Sequence, residues 1–194
     1  MKKIGNIDDR DINDYRYMYN VSHENKVLHI YLTEEIDFDR DFIGLIKEIK
    51  ALTEKDTIKI YINNYGGGLA AMIQLMNALK ITPAKIEGYL EGYACSAASF
   101  IFLMCDKMFL NKYSILMLHY YSTGYYYQKG GDIEKATEFD KKHFQFIFSD
   151  SYKELMTEEE LADMFNGKDF WFNSNQIKHR LKSTKKISMV EWVR

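Results

Sequence analysis

The stretch IKIYINNYGGGLAAMIQLMNALKITPAKIEGYL, residues 58–90, holds a complete strand–helix–strand unit. IKIYIN (58–63) is rich in β-branched residues and alternates as a strand does. It ends in NYGGG, whose glycines permit a sharp turn. From Leu69 to Leu79 apolar residues recur at helical spacing, and Pro83 follows as a stop. KIEGYL (85–90) then reads as a strand again. Two strands joined through a crossover helix are parallel neighbours in a sheet.

The same alternation extends in both directions. VLHIYL (27–32) is a strand, and FDRDFIGLIKEIKAL (38–52) spaces Phe38, Phe42, Leu45, Ile46 and Ile49 as a helix does. Downstream, EGYACSAASFIFLMCD (91–106) leaves a strand and enters a helix expected from about Ser96 to Met104. KMFL and SILML, within 107–118, are two short strands around the polar NKYS. The resulting βαβαβα pattern predicts an α/β fold with a mostly parallel sheet.

Residues 132–155 contain no Gly or Pro and predict one long helix. Phe139, Phe144, Phe146, Ile147, Phe148 and Leu155 exceed a single stripe, so this helix should be packed on two sides. In a chain this short, the second side points to another subunit. MTEEELADMF (156–165) offers Thr157 and Glu160 as a capping box.

Composition bounds the rest. With 194 residues and 46% hydrophobic content the chain is one globular domain. A formal net charge of -2 gives no reason to expect nucleic acid. Cys95 and Cys105 read as buried thiols in a reducing compartment. No run has the length of a signal peptide or a membrane span, so a cytoplasmic protein is expected. Abundant Lys, Ile, Asn and Tyr fit an AT-rich genome such as a phage's, which would make the host cytoplasm the location. Residues 1–25 read as an N-terminal arm, 26–182 as the domain and 183–194 as a solvated tail.

Three turns at the carboxyl ends of strands could carry chemistry, since ligands of open α/β sheets bind there. Ser96 stands among small residues, beside free N–H groups at a helix start that could hold an oxyanion. Alone, it reads more simply as a plain helix cap. The NYGGG turn could present backbone N–H groups to an anion, but it lacks the GK[ST] of a phosphate loop. His119 ends the strand SILML and faces the same edge, where it could serve a serine as general base. A third, orienting acid is then expected. Asp169 in GKDFWF is the best placed. Asp106 and Asp132 compete, although Asp132 reads better as the cap of the long helix.

In order along the chain, YINNYGGG, GYACSAAS, SILMLH, GGDIEKATEF and KDFWFNSNQI resemble the motifs of the ClpP peptidase family, the proteolytic subunit of the Clp protease. The resemblance covers about residues 26–182. It implies a ClpP/crotonase-like core of repeated ββα/βαβ units with a long protruding handle helix. It also implies a serine peptidase that works without metal or cofactor. Ser96 matches the nucleophile, His119 the base and Asp169 the acid, with Gly67 and Ala97 supplying the oxyanion hole. Gly68 and the glycine-flanked Tyr125, Tyr126 and Tyr127 match segments that pair with substrate backbone. Homo-oligomeric assembly is implied, as two seven-membered rings stacked into a tetradecamer, with an AAA+ unfoldase feeding unfolded protein. Residues 1–25 would then form an axial segment, though they bear little likeness to the family's own.

The departures are specific. Ala97-Ala98 replaces Met-Gly after the nucleophile, and Tyr65 stands in place of proline in the turn. Tyr-Tyr follows His119, and Lys168 precedes the acid where an arginine is usual. Two other readings share the fold: a catalytically silent ring subunit, and an acyl-CoA-binding crotonase. A phage maturation protease acting without ATP is a variant of the peptidase reading.

Overall fold

The computed structural model describes residues 17–21, 25–37, 40–122, 131–184 and 187–190. The elements run β1 (Tyr17–Val21), β2 (Lys26–Leu32), α1 (Arg40–Lys50), β3 (Thr57–Asn64), α2 (Leu69–Ile81), β4 (Lys85–Cys95) and α3 (Ala97–Leu103). They continue through β5 (Lys107–Leu110), β6 (Ile115–Leu118), α4 (Asp132–Tyr152), α5 (Glu158–Phe165), β7 (Phe170–Asn173) and α6 (Ser174–Arg180) to β8 (Ile187–Met189). These elements make the mixed α/β fold that the alternating pattern predicts.

The sheet follows the order β1-β2-β3-β4-β5-β8. Each step from β2 to β8 is parallel, as crossover helices require. β4 is long enough to fork. Its first half pairs with β5, and its second half pairs in parallel with β6, which pairs antiparallel with β7. Where β4 leaves β3 the register shifts, because Ile62 faces Leu90 and Asn64 already faces Ala94. Gly92 makes that bulge possible: a Cβ there would lie 2.3 Å from the Asn63 side-chain oxygen. That same oxygen accepts a hydrogen bond from Tyr93 N–H at 3.1 Å.

One sheet face, with Leu28, Ile30, Ile58, Ile60, Ile62, Ile86 and Leu90, is buried against Phe42, Ile49, Met72, Leu75 and Phe102 of the helices. The opposite face is half-exposed and carries aromatic rings. Tyr31 and Tyr61, Tyr61 and Tyr89, and Tyr89 and Phe109 stack at 4.9, 5.1 and 4.5 Å across four strands. On α4, Phe148 is buried whereas Phe139 and Phe146 are about two-thirds exposed, so its apolar surface does face two ways. The Thr157–Glu160 capping box forms as expected.

The ends depart from the sequence reading. Tyr17–Val21, in the segment read as an arm, pairs residue for residue with β2. Ile187–Met189, in the segment read as a tail, adds to β5 as a parallel strand. Both are β-prone runs whose partners lie far off or across a turn, so local periodicity could not announce the pairing. Asp132 is the first residue of α4 rather than its cap. Gly131 holds the cap position at φ 83°, a left-handed conformation that suits glycine.

A buried carboxylate ties the strand starts together. Asp56 accepts from Thr53 N–H (2.7 Å), Thr53 Oγ1 (2.8 Å) and Lys26 N–H (2.8 Å). Those donors, the Thr53 N–H foremost, hold its carboxyl below the ordinary carboxylate range. Its contribution to stability is therefore complete above about pH 4 and is lost as the pH falls through the lower native value. Asp56→Ala should cost about 2–3 kcal/mol in urea unfolding at neutral pH. The gap to the parent should narrow on acidification; a gap independent of pH would count against this role.

Candidate active site

β4 delivers Ser96 to the sheet's carboxyl edge in an unusual conformation. The residue has φ 51° and ψ -124°, the one positive φ outside glycine among the described residues. Such a backbone costs of order 1–3 kcal/mol and persists only where the surroundings enforce it. Ser96 occupies the N-cap position of α3, yet its side chain makes no capping hydrogen bond. An ordinary capping serine has extended backbone and bonds a first-turn N–H. The capping explanation therefore fails on both counts, and the geometry is that of a nucleophile elbow.

The elbow is held from several directions. Ser96 N–H donates to Met117 O on β6 at 3.0 Å. Its carbonyl accepts from Ser99 N–H at 2.9 Å and from Ser99 Oγ at 2.6 Å. The glycine turn closes the remaining side. A Cβ on Gly66 would lie 2.7 Å from Ser96 Cβ, 2.9 Å from Cys95 O and 3.1 Å from Ala97 N. Asn64, buried, fixes that turn: its Oδ1 accepts from Gly66 N–H at 2.7 Å and its Nδ2 donates to Glu34 O.

Gly67 forms a parallel bridge with Ile36. The bridge uses Ile36 N–H to Gly66 O at 2.9 Å and Gly68 N–H to Ile36 O at 2.7 Å. Those bonds leave the N–H of Gly67 itself without a partner among the described residues, and the same holds for Ala97 N–H. Two free donors thus stand on the chain segments packed around Ser96. Gly68 is otherwise engaged, because its carbonyl accepts from Met72 N–H to start α2. What Gly68 can offer a substrate is its open Cα surface rather than a strand-like hydrogen bond.

His119 and Asp169 arrive through strand pairing. Cys95 faces Met117 across β4 and β6, so Ser96 and His119 end adjacent parallel strands about 4.8 Å apart. On the far side, Leu118 faces Phe170 and Met117 faces Trp171. His119 is the next residue after Leu118 and Asp169 the one before Phe170, so both stand at this end of the ladder. Leu116, Leu118 and Phe172 are buried in the core, whereas Met117 and His119 are half-buried and Asp169 and Trp171 exposed. Ser96 thus directly follows β4, His119 directly follows β6 and Asp169 directly precedes β7, three neighbouring strands of the sheet. Among the described residues no hydrogen bond joins the three side chains.

The competing residues sit elsewhere. Asp106 Oδ2 accepts from Ile86 N–H at 2.8 Å, which ties it to the start of β4 and the opposite sheet edge. Burial pushes both the Cys95 and Cys105 thiols up, so neither is a thiolate nucleophile near neutrality. Tyr125, Tyr126 and Tyr127 lie outside the described residues. β7, which presents Asp169, is braced from behind. Arg180 donates to both carboxylate oxygens of Glu160 at 2.7 Å and to Leu155 O at 3.0 Å, and lies 4.6 Å over the Phe172 ring. The Arg180 guanidinium accordingly holds the Glu160 carboxyl low. Lys168 pairs within its own chain, with Asp163 at 2.8 Å.

Gly66, Asn64, Ser99 and Tyr152 escaped the reading of the sequence. The NYGGG turn hinted at the first, since three glycines in succession imply more than one close approach. Nothing local marked Ser99 or Tyr152, which meet across α3 and α4.

Solved structures share this α/β fold. The crystal structure of a peptidase from Plasmodium falciparum superimposes with a TM-score of 0.66 at 17% identity, covering 84% of this chain and 96% of that one. A model of the Clp protease family matches residues 14–179, and the chain belongs to that family as a divergent, ClpP-like member. No curated protein matches the sequence.

Proposed function

We propose that the chain is a serine endopeptidase that cleaves unfolded polypeptides or peptides inside an oligomeric chamber. The observation that carries this is the strained, uncapped Ser96 between two free backbone N–H groups. In the reaction, Ser96 Oγ attacks the scissile carbonyl while His119 takes its proton. The oxyanion that forms accepts from Gly67 and Ala97 N–H. Collapse breaks the C–N bond, and His119 returns the proton to the leaving amine, leaving an acyl-enzyme. Water, deprotonated by His119, then releases the acid and regenerates Ser96. Asp169 orients and stabilises the imidazolium.

Two surfaces support assembly. Parallel sheets are ordinarily covered on both faces, yet the aromatic face here is half-exposed. Phe139 and Phe146 stand out from α4 as well. Rings of this chain, seven-membered and stacked as in the family, would cover both. A reducing cytoplasm suits the buried thiols, and an AAA+ unfoldase would supply unfolded chain.

The test is hydrolysis of a fluorogenic peptide and of unfolded casein by the purified protein, with its mass in solution and its labelling by a fluorophosphonate. Peptide cleavage by a large assembly, with the label on Ser96, is expected. A large assembly that neither cleaves nor labels would instead make it a structural ring subunit.

A further inference from the structure

Behind Ser96, among the apolar side chains of the core, two hydroxyls meet. Ser99 on α3 and Tyr152 at the end of α4 are both fully buried, and their oxygens are 2.8 Å apart. Ala and Phe would fill the same space without burying either hydroxyl. Ser99 Oγ donates its single proton to the Ser96 carbonyl at 2.6 Å. The proton between Ser99 and Tyr152 must therefore come from the phenol. The chain runs one way, Tyr152 O–H to Ser99 O–H to Ser96 C=O, and each bond polarises the next.

The pair is rigidly mounted. The Tyr152 ring lies 4.6 Å from Phe100 and 5.7 Å from Phe148, and those two rings meet edge-on at 4.8 Å. Burial pushes the phenol's pKa up, so the donor stays protonated through neutral pH.

Given the peptidase reading of Ser96, we propose that Ser99 and Tyr152 are positioning residues that hold the nucleophile's carbonyl, and with it the strained elbow and the aim of Oγ. Ser99 supplies both donors to that carbonyl, and Tyr152 fixes the Ser99 rotamer. Without the two hydroxyls the peptide after Ser96 keeps one restraint and can relax from φ 51°, carrying Oγ and Ala97 N–H out of register. Misplacement on the ångström scale is enough to cost about 100-fold in rate. Substrate contacts are untouched, so the effect belongs in kcat and not in KM.

The experiment is a double-mutant cycle with Ser99→Ala, Tyr152→Phe and the double variant. Its readouts are peptide-hydrolysis kcat and KM, the rate of fluorophosphonate labelling at Ser96, and Tm. Both single variants keep the core volume and should fold. Ser99→Ala should lower kcat and the labelling rate by about 10- to 100-fold, and Tyr152→Phe by about 3- to 10-fold. KM should stay constant in each. Because Tyr152 acts through Ser99, Tyr152→Phe should have no further rate effect in the Ser99→Ala background. Variants that lose only Tm and keep labelling rate and kcat within twofold would overturn the proposal, as would independent, multiplying effects. A parent protein that is never labelled at Ser96 would overturn the peptidase reading and this role together.

Discussion

Ser96→Ala is expected to reduce kcat/KM for peptide hydrolysis by at least about 1,000-fold while leaving Tm almost unchanged. The loss is large because the proposed reaction passes through a covalent bond to Oγ. Only the oxyanion donors and substrate binding remain to accelerate direct attack by water. The small change in Tm follows from the geometry. Alanine has the same Cβ and meets the same penalty at φ 51°, and Oγ makes no capping bond whose loss would be felt. A serine that merely capped α3 would behave in the opposite way. Its replacement would lower stability by about 1 kcal/mol and leave any activity intact. Measuring both quantities on one variant separates these roles, and a stable protein with full activity would remove Ser96 from the mechanism.

Gly66→Ala should be strongly damaging although Gly66 itself carries no proposed reacting group. Gly66 has φ 109°, where a side chain is strained in any surroundings. The added methyl would also press on Ser96 Cβ at 2.7 Å and on two backbone atoms, Cys95 O and Ala97 N, that cannot swing away. We expect about 2–4 kcal/mol of destabilisation from combined strain and overpacking. Activity should fall about 100-fold in the protein that remains folded, because the methyl displaces the elbow. Gly167→Ala is the control. Gly167 also has positive φ, 97°, but a Cβ there meets nothing within 4 Å. It should cost about 1–2 kcal/mol by urea unfolding and leave kcat/KM intact. Equal effects on activity at the two sites would show that strain alone, and not contact with Ser96, governs the loss.

Much of the architecture was legible because it is written in local periodicity. The alternation of IKIYIN and the helical spacing from Leu69 to Leu79 each lie within one element, and the structure reproduces both. The Thr157 capping box is legible for the same reason. Pairings between distant segments left no such trace. Ile187–Met189 has nothing in its own sequence to direct it to β5, and only the partner strand gives the β-prone Tyr17–Val21 its place in the sheet. The site divides likewise. A serine among small residues at a strand–helix junction can be read directly, whereas its φ of 51° depends on Gly66, Met117 and Ser99 together. Asp132 was misread as a cap because the sequence shows a good capping residue, not which of two neighbours turns left-handed.

The route of the chain between His119 and Asp169 has a further meaning. The chain leaves β6 just after Leu118 and rejoins the sheet at Phe170, directly opposite. The chain between, including α4 and α5, is an excursion whose neck is the pair Leu118 and Phe170, with His119 and Asp169 the first and last residues beyond it. The register at that neck is therefore set by the β6–β7 ladder and not by what the excursion contains. Doubling its length would add only about 0.6 kcal/mol to the cost of closing it. Changes in the length of this excursion should therefore leave the strand register at its neck unchanged, while Phe148, Tyr152 and Glu160 within it stay tied to the core, to Ser99 and to Arg180.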